Sequence, residues 1–234
     1  MKFKSFIASM VLGFTMIFAN AEPMANVDYN EVNPPIPQLH NDKIEILEFF
    51  SYTCSHCKDL EPALNKYIAD IPSDTYFRGL HVVWENNMLP FARIAAAVNA
   101  SGTGSKANSA IFNTLFNSDP NQRARLDYPS VFVEWAEKQG DWGKSLVKAY
   151  NTDDAVKDAQ AMAKMTLDYN IDSTPQIIVG GKYRLIRTAN QEEDMKKLNE
   201  LVKKVRAERN MSAPAKKTQA TNMGASIAKQ ANRK

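Results

Sequence analysis

Cys54 and Cys57 are the only cysteines in the chain and stand together as Cys54-Ser55-His56-Cys57. Thiols at this C-x-x-C spacing can close into a small strained ring and exchange that disulfide with other thiols. A run that reads as a buried strand precedes them and a helix pattern follows, which places the pair on a helix's first turn. There the free backbone N–H groups and the positive end of the helix dipole favour thiolate over thiol. A thiolate so held is a good leaving group, and its disulfide is readily given away.

Other chemistries fit the pair less well. A structural zinc site needs four ligands, and neither His40 nor His81 has the spacing to complete one, so no metal site is expected. A c-type haem attachment needs histidine directly after the second cysteine, where Lys58 stands. A purely structural disulfide stays open, although so short a loop restrains the unfolded chain little.

The elements that must position the pair follow from hydrophobic period and breakers. Residues 43–50 read as a central strand in which Glu48 is an acid in an apolar stretch. A helix over 55–71 carries Leu60, Leu64, Tyr67, Ile68 and Ile71 at helical spacing, with Pro62 expected to kink it. Residues 75–84 read as a second strand. Helical periods then occupy 91–100, 105–116, 128–138, 142–150 and 153–169, separated by Gly102 and Gly104, Asp119-Pro120, Gly140 and Asn151. Residues 177–179 and 183–186 around Gly180-Gly181 give a hairpin signal, and 190–209 reads as an amphipathic helix. This order predicts an α/β domain, residues 22–86 and 171–210, interrupted by an all-helical insertion at 87–170. The cysteines would lie at the carboxyl end of the first strand, where open α/β sheets place their sites.

The flanking segments differ. Residues 1–21 have a signal peptide's layout: Lys2 and Lys4, an apolar run over 6–18, then Ala19-Asn20-Ala21. The run is short for a membrane span of about 20 residues. The mature chain is therefore expected to be exported and soluble, in a Gram-negative periplasm where disulfides persist. Residues 22–41 read as an extended proline-rich leader, and 211–234 as a disordered basic tail. Seven of the 29 basic residues fall in the signal and tail, with no acidic ones, which leaves 22 against 26 acidic residues in between. That body, at about −4, disfavours nucleic-acid binding.

The segment Leu47-Glu48-Phe49-Phe50-Ser51-Tyr52-Thr53-Cys54-Ser55-His56-Cys57 resembles the active site of the DsbA family of thiol oxidases. Asp172-Ser173-Thr174-Pro175, followed by Ile177-Ile178-Val179-Gly180-Gly181-Lys182-Tyr183, resembles that family's cis-proline loop and hairpin. The resemblance covers residues 30–207. It implies a thioredoxin fold with an inserted helical domain, no cofactor beyond a redox-active Cys54–Cys57 disulfide, and donation of that disulfide to reduced, unfolded exported proteins. It further implies a membrane DsbB-like reoxidase. No dimerisation module precedes the first strand, and a monomer is expected.

Carried over by residue, the resemblance makes Cys54 the exposed nucleophile and Cys57 the buried resolving thiol. His56 would hold the Cys54 thiolate by charge or hydrogen bonding, Thr174 and a cis Pro175 would present backbone to substrate, and Glu48 would relay the Cys57 proton. Two positions depart from the pattern. Ser55 replaces a proline in the dipeptide that tunes the couple. Gly79 replaces a lysine near the buried glutamate, and Arg78 should face the other side of its strand, leaving Glu48 without a cationic partner. His81 is expected to pack at the insertion junction. The rival readings are a reductase or isomerase of the same compartment, and a chaperone-like binding module with a structural disulfide.

Overall fold

The computed structural model describes residues 22–117 and 124–214. The expected signal peptide, and all but the first four residues of the expected tail, lie outside them. The first long element is β2 (Ile44–Phe50), followed by α1 (Ser55–Ala69) and β3 (Thr75–His81). Five helices come next, α2 (Leu89–Ser101), α3 (Gly104–Phe116), α4 (Pro129–Glu137), α5 (Asp141–Tyr150) and α6 (Asp153–Asp168). The hairpin β4 (Gln176–Val179) and β5 (Tyr183–Leu185) and the long helix α7 (Gln191–Glu208) are the last elements among the described residues. Pro62 lies inside α1, which runs through it.

Sequence reasoning missed one strand. Within the proline-rich leader, β1 (Tyr29–Glu31) pairs antiparallel with β5, giving the sheet order β1-β5-β4-β2-β3. Central β2 runs parallel to β3 and antiparallel to β4, and all seven of its residues are buried because helices cover both faces. On one face Ile44 and Ile46 pack with Leu60 and Leu64 of α1 and Leu198, Leu201 and Val202 of α7. On the other, Leu47 and Phe49 join a core that continues through α2 and the helical insertion. Each fully buried leucine contributes about 1.5–3 kcal/mol. β3 stops at His81, earlier than the apolar run suggests, and the Trp84 indole donates to the Ile171 carbonyl at the other edge of the insertion.

The leader is fastened to the hairpin turn. Gly180 and Gly181 both have positive φ, and Gly181 lies so close to the leader that a Cβ would fall 2.0 Å from the Ile36 carbonyl oxygen. The Ile36 N–H donates to the Gly181 carbonyl at 2.9 Å. Gly181→Ala is therefore expected to destabilise the fold by at least about 1 kcal/mol, read as a lower denaturation midpoint.

Candidate active site

Cys54 occupies the N-cap of α1, and what is missing there matters. Where α6 is capped by the Thr152 hydroxyl and α7 by the Asn190 side chain, each with acidic residues in its first turn, α1 has neither a side-chain cap nor an acid there. Its free N–H groups and positive end are left to the cysteine sulfur. The loop before it is tightly held. The Cys54 N–H donates to Ser51, the Tyr52 N–H donates to His81 Nε2 at 3.1 Å, and the Tyr52 hydroxyl donates to Asn108 of α3 at 2.7 Å. His81 is fully buried between that N–H and the Val82 carbonyl, which fixes its proton on Nδ1. Burial lowers its pKa to about 4, so it is a neutral structural group at the base of the insertion.

Because β4 runs antiparallel to its neighbour β2, with Gln176 opposite Phe49, the loop before β4 closes on the cysteines at the same end of the sheet. The Thr174-Pro175 bond is cis, as is Asn33-Pro34, which the sequence did not suggest. Thr174 presents its carbonyl oxygen 3.5 Å from Cys54 Sγ. Gln176, buried at the start of β4, donates to Asp172 and Ser173 and braces this loop.

The two thiols are electrostatically unlike. Cys54, half-buried, has its pKa lowered to about 5, chiefly by a hydrogen bond from the Cys57 thiol. Burial opposes that shift, while the Thr174 side chain and the backbone N–H groups of Cys57 and His56 add to it. The Thr174 carbonyl can accept only from the protonated thiol, so carbonyl and side chain of this residue serve opposite protonation states. Cys57 is 1% exposed, and its pKa is pushed far above the usual thiol value. Donation to Cys54, burial and the Glu48 charge all keep its proton on. Ser55 and His56 are solvent-exposed at the start of α1, and it is the backbone N–H of His56 that supports the thiolate.

Glu48 stands on the α1/α7 face of β2, opposite Gly79 of β3 and Ile177 of β4. Burial, the nearby Glu61 and the Cys54 charge raise its pKa to about 8 against the pull of Arg187. As expected, Gly79 and Arg78 supply no cation to Glu48, and among the described residues it forms no ion pair; the pull toward ionisation comes from Arg187, beyond β5, which is itself paired with Asp194 at 3.2 Å. Arg78 does face the other side, where it forms a two-pronged pair with the fully buried Glu45, at 2.8 and 3.1 Å. Glu61 also escaped the sequence reading. Its spacing four residues after Cys57 places it on the same helix face. Its carboxylate accepts from Ser109 of α3 at 2.8 Å, and burial raises its pKa.

Comparison with known proteins agrees with this geometry. A family profile described as thioredoxin matches residues 41–204. The thiol:disulfide interchange protein DsbA of Burkholderia cepacia is 30% identical over 165 residues, which span 70% of this chain and 76% of that protein. Reduced DsbA1 from Neisseria meningitidis superposes with a TM-score of 0.75 at 38% identity, covering 81% of this chain and 98% of its own. DsbA3 of the same organism gives 0.68 at 46% identity, covering 78% and 97%. With an uncapped helix start at Cys54, a cis-proline loop against it and helices inserted between β3 and β4, the chain belongs to the DsbA family of thioredoxin-fold thiol:disulfide oxidoreductases.

Proposed function

We propose that this protein is a periplasmic dithiol oxidase that donates a Cys54–Cys57 disulfide to reduced exported proteins and carries no other cofactor. The observation that supports this most is the asymmetry of the pair, with Cys54 acidic and Cys57 firmly protonated. A substrate thiolate attacks Cys54 Sγ, the Cys54–Cys57 bond breaks, and its electron pair leaves on Cys57. Glu48, protonated at neutral pH, gives that sulfur its proton. A second substrate thiolate then attacks the substrate sulfur of the mixed disulfide and releases Cys54 as thiolate. The substrate is oxidised by two electrons and the protein reduced by two. Thr174 and Pro175 would align the extended substrate, and the exposed Ser55 and His56 would set the surroundings of the sulfur.

A membrane reoxidase of the DsbB kind would restore the disulfide. No helix among the described residues is long and apolar enough to cross a membrane, and no cluster of three or more His, Cys, Asp or Glu among them is placed to hold a metal ion.

Equilibration with glutathione at a series of pH values tests the assignment. Reduction of the disulfide to one thiolate and one thiol takes up one proton for two electrons. The potential should then fall by about 30 mV per pH unit above pH 5, steepening to about 59 mV below it. It should also lie above that of the glutathione pool at pH 7. A slope of about 59 mV throughout, with a potential below glutathione, would assign the pair to a reductase.

A further inference from the structure

We propose that Arg187, oriented by Asp194, is the positive charge that balances buried Glu48 and so decides when that carboxyl can exchange the Cys57 proton. The proposal rests on Glu48 acting as the relay. Neither residue paired with Glu48 in the sheet, Gly79 or Ile177, carries charge, and Arg78 is committed to Glu45 on the opposite face. Across the sheet, Leu185 of β5 is buried on the Glu48 face with Ile177 and Leu198. β5 ends there, but the Ile186 N–H still donates to the Asp28 carbonyl at 2.8 Å, and this continued pairing carries Arg187, two residues beyond Leu185, to the same side.

Asp194 is the anchor. It lies in the first turn of α7, fully buried, and accepts from the Thr188 N–H at 2.7 Å and the Thr188 hydroxyl at 3.1 Å. Its other oxygen accepts from Arg187 Nε at 3.2 Å. The guanidinium has five donors in a fixed fork, and this bond commits Nε alone. The titratable and charged groups around Glu48 are then Tyr52 from the loop before α1, Glu61, Cys54 and the protonated Cys57 from α1, and Arg187 from the segment between β5 and α7, itself paired with Asp194 of α7. The neighbours on α1 oppose ionisation of Glu48, and Arg187 favours it. Arg187 thus acts as a positioning residue through Glu48, standing where the sheet itself offers no cation.

The side-chain carboxyl of Glu48 can be followed by carbon-13 NMR in the reduced protein, alongside the pH profile for its oxidation by glutathione disulfide. In Arg187→Gln the Glu48 midpoint, near 8 in the parent protein, should rise by about one unit, and the alkaline limb of the rate should move with it. Arg187→Lys should restore most of both. Glu48→Gln should lose the limb, and adding Arg187→Gln to it should then change nothing. An unmoved Glu48 midpoint in folded Arg187→Gln would overturn the role given to Arg187. A limb that survives in Glu48→Gln would instead overturn the relay, leaving the NMR midpoint to report on Arg187 by itself.

Discussion

Cys57→Ser stops the reaction after one bond exchange and accumulates substrate adducts on Cys54, whereas Cys54→Ser forms none and loses turnover altogether. The contrast follows from the two sulfurs' surroundings. Cys54 is reachable and acidic, so it still exchanges with a substrate disulfide when its partner is gone. Cys57 is buried, with its pKa pushed far up, and holds almost no thiolate at neutral pH. Burial and the nearby Glu48 keep that sulfur protonated and out of reach, so no exchange by Cys54→Ser should be detected. Non-reducing gels and single-turnover kinetics read both outcomes, and adducts on Cys54→Ser would reverse the assigned order of attack. Serine and alanine at position 57 should also differ from each other. The largest contribution to the Cys54 acidity is the hydrogen bond donated by Cys57, which a serine hydroxyl can replace and alanine cannot. Thiolate absorbance should show Cys54 still titrating near 5 in Cys57→Ser and clearly higher in Cys57→Ala.

The parts of this site that were readable in advance are those with a local cause. The apolar run over Glu48 predicts β2, helical period predicts α1, and the C-x-x-C spacing places the thiols where the two meet. The Thr174-Pro175 loop was legible through its motif, since nothing in local propensity brings it to Cys54, 120 residues away. What escaped depends on pairings that no period encodes. Tyr29–Glu31 is polar and short, and becomes a strand only because β5 offers an edge. Arg187 lies in a turn-like stretch, and its relation to Glu48 exists only once β5 and α7 are folded against β2. Asp194 reads as an ordinary acid of a helix's first turn, yet it is fully buried there. His56 shows the opposite case, because its position between the cysteines suggests an imidazole role while its backbone N–H is what reaches the sulfur.

The redox forms should exchange their order of stability with pH. In the reduced protein the Cys54 pKa falls from 9.0 to about 5 on folding, so the folded state releases a proton that the unfolded state keeps. A depressed folded pKa stabilises fully above the unfolded value, and the contribution is lost as pH falls through about 5. Cys54 is only half-buried, and solvent screening cuts this gain to about 2–3 kcal/mol. The oxidised form has no such thiolate but gains from closing a loop of about four residues, a term of about 2 kcal/mol. Glu48 works in the other direction: its pKa is raised to about 8, so its contribution declines as pH rises from 4.5, but it is present in both forms and largely cancels. Below pH 5 loop closure alone remains, and the oxidised protein should be the more stable. Toward pH 9 the thiolate gain is complete, and the reduced protein should overtake it. Denaturant melts of both forms at pH 4 and pH 8.5 measure the two differences. A gap that does not change with pH would mean that Cys54 titrates as an ordinary thiol, and the acidity on which disulfide donation rests would be absent.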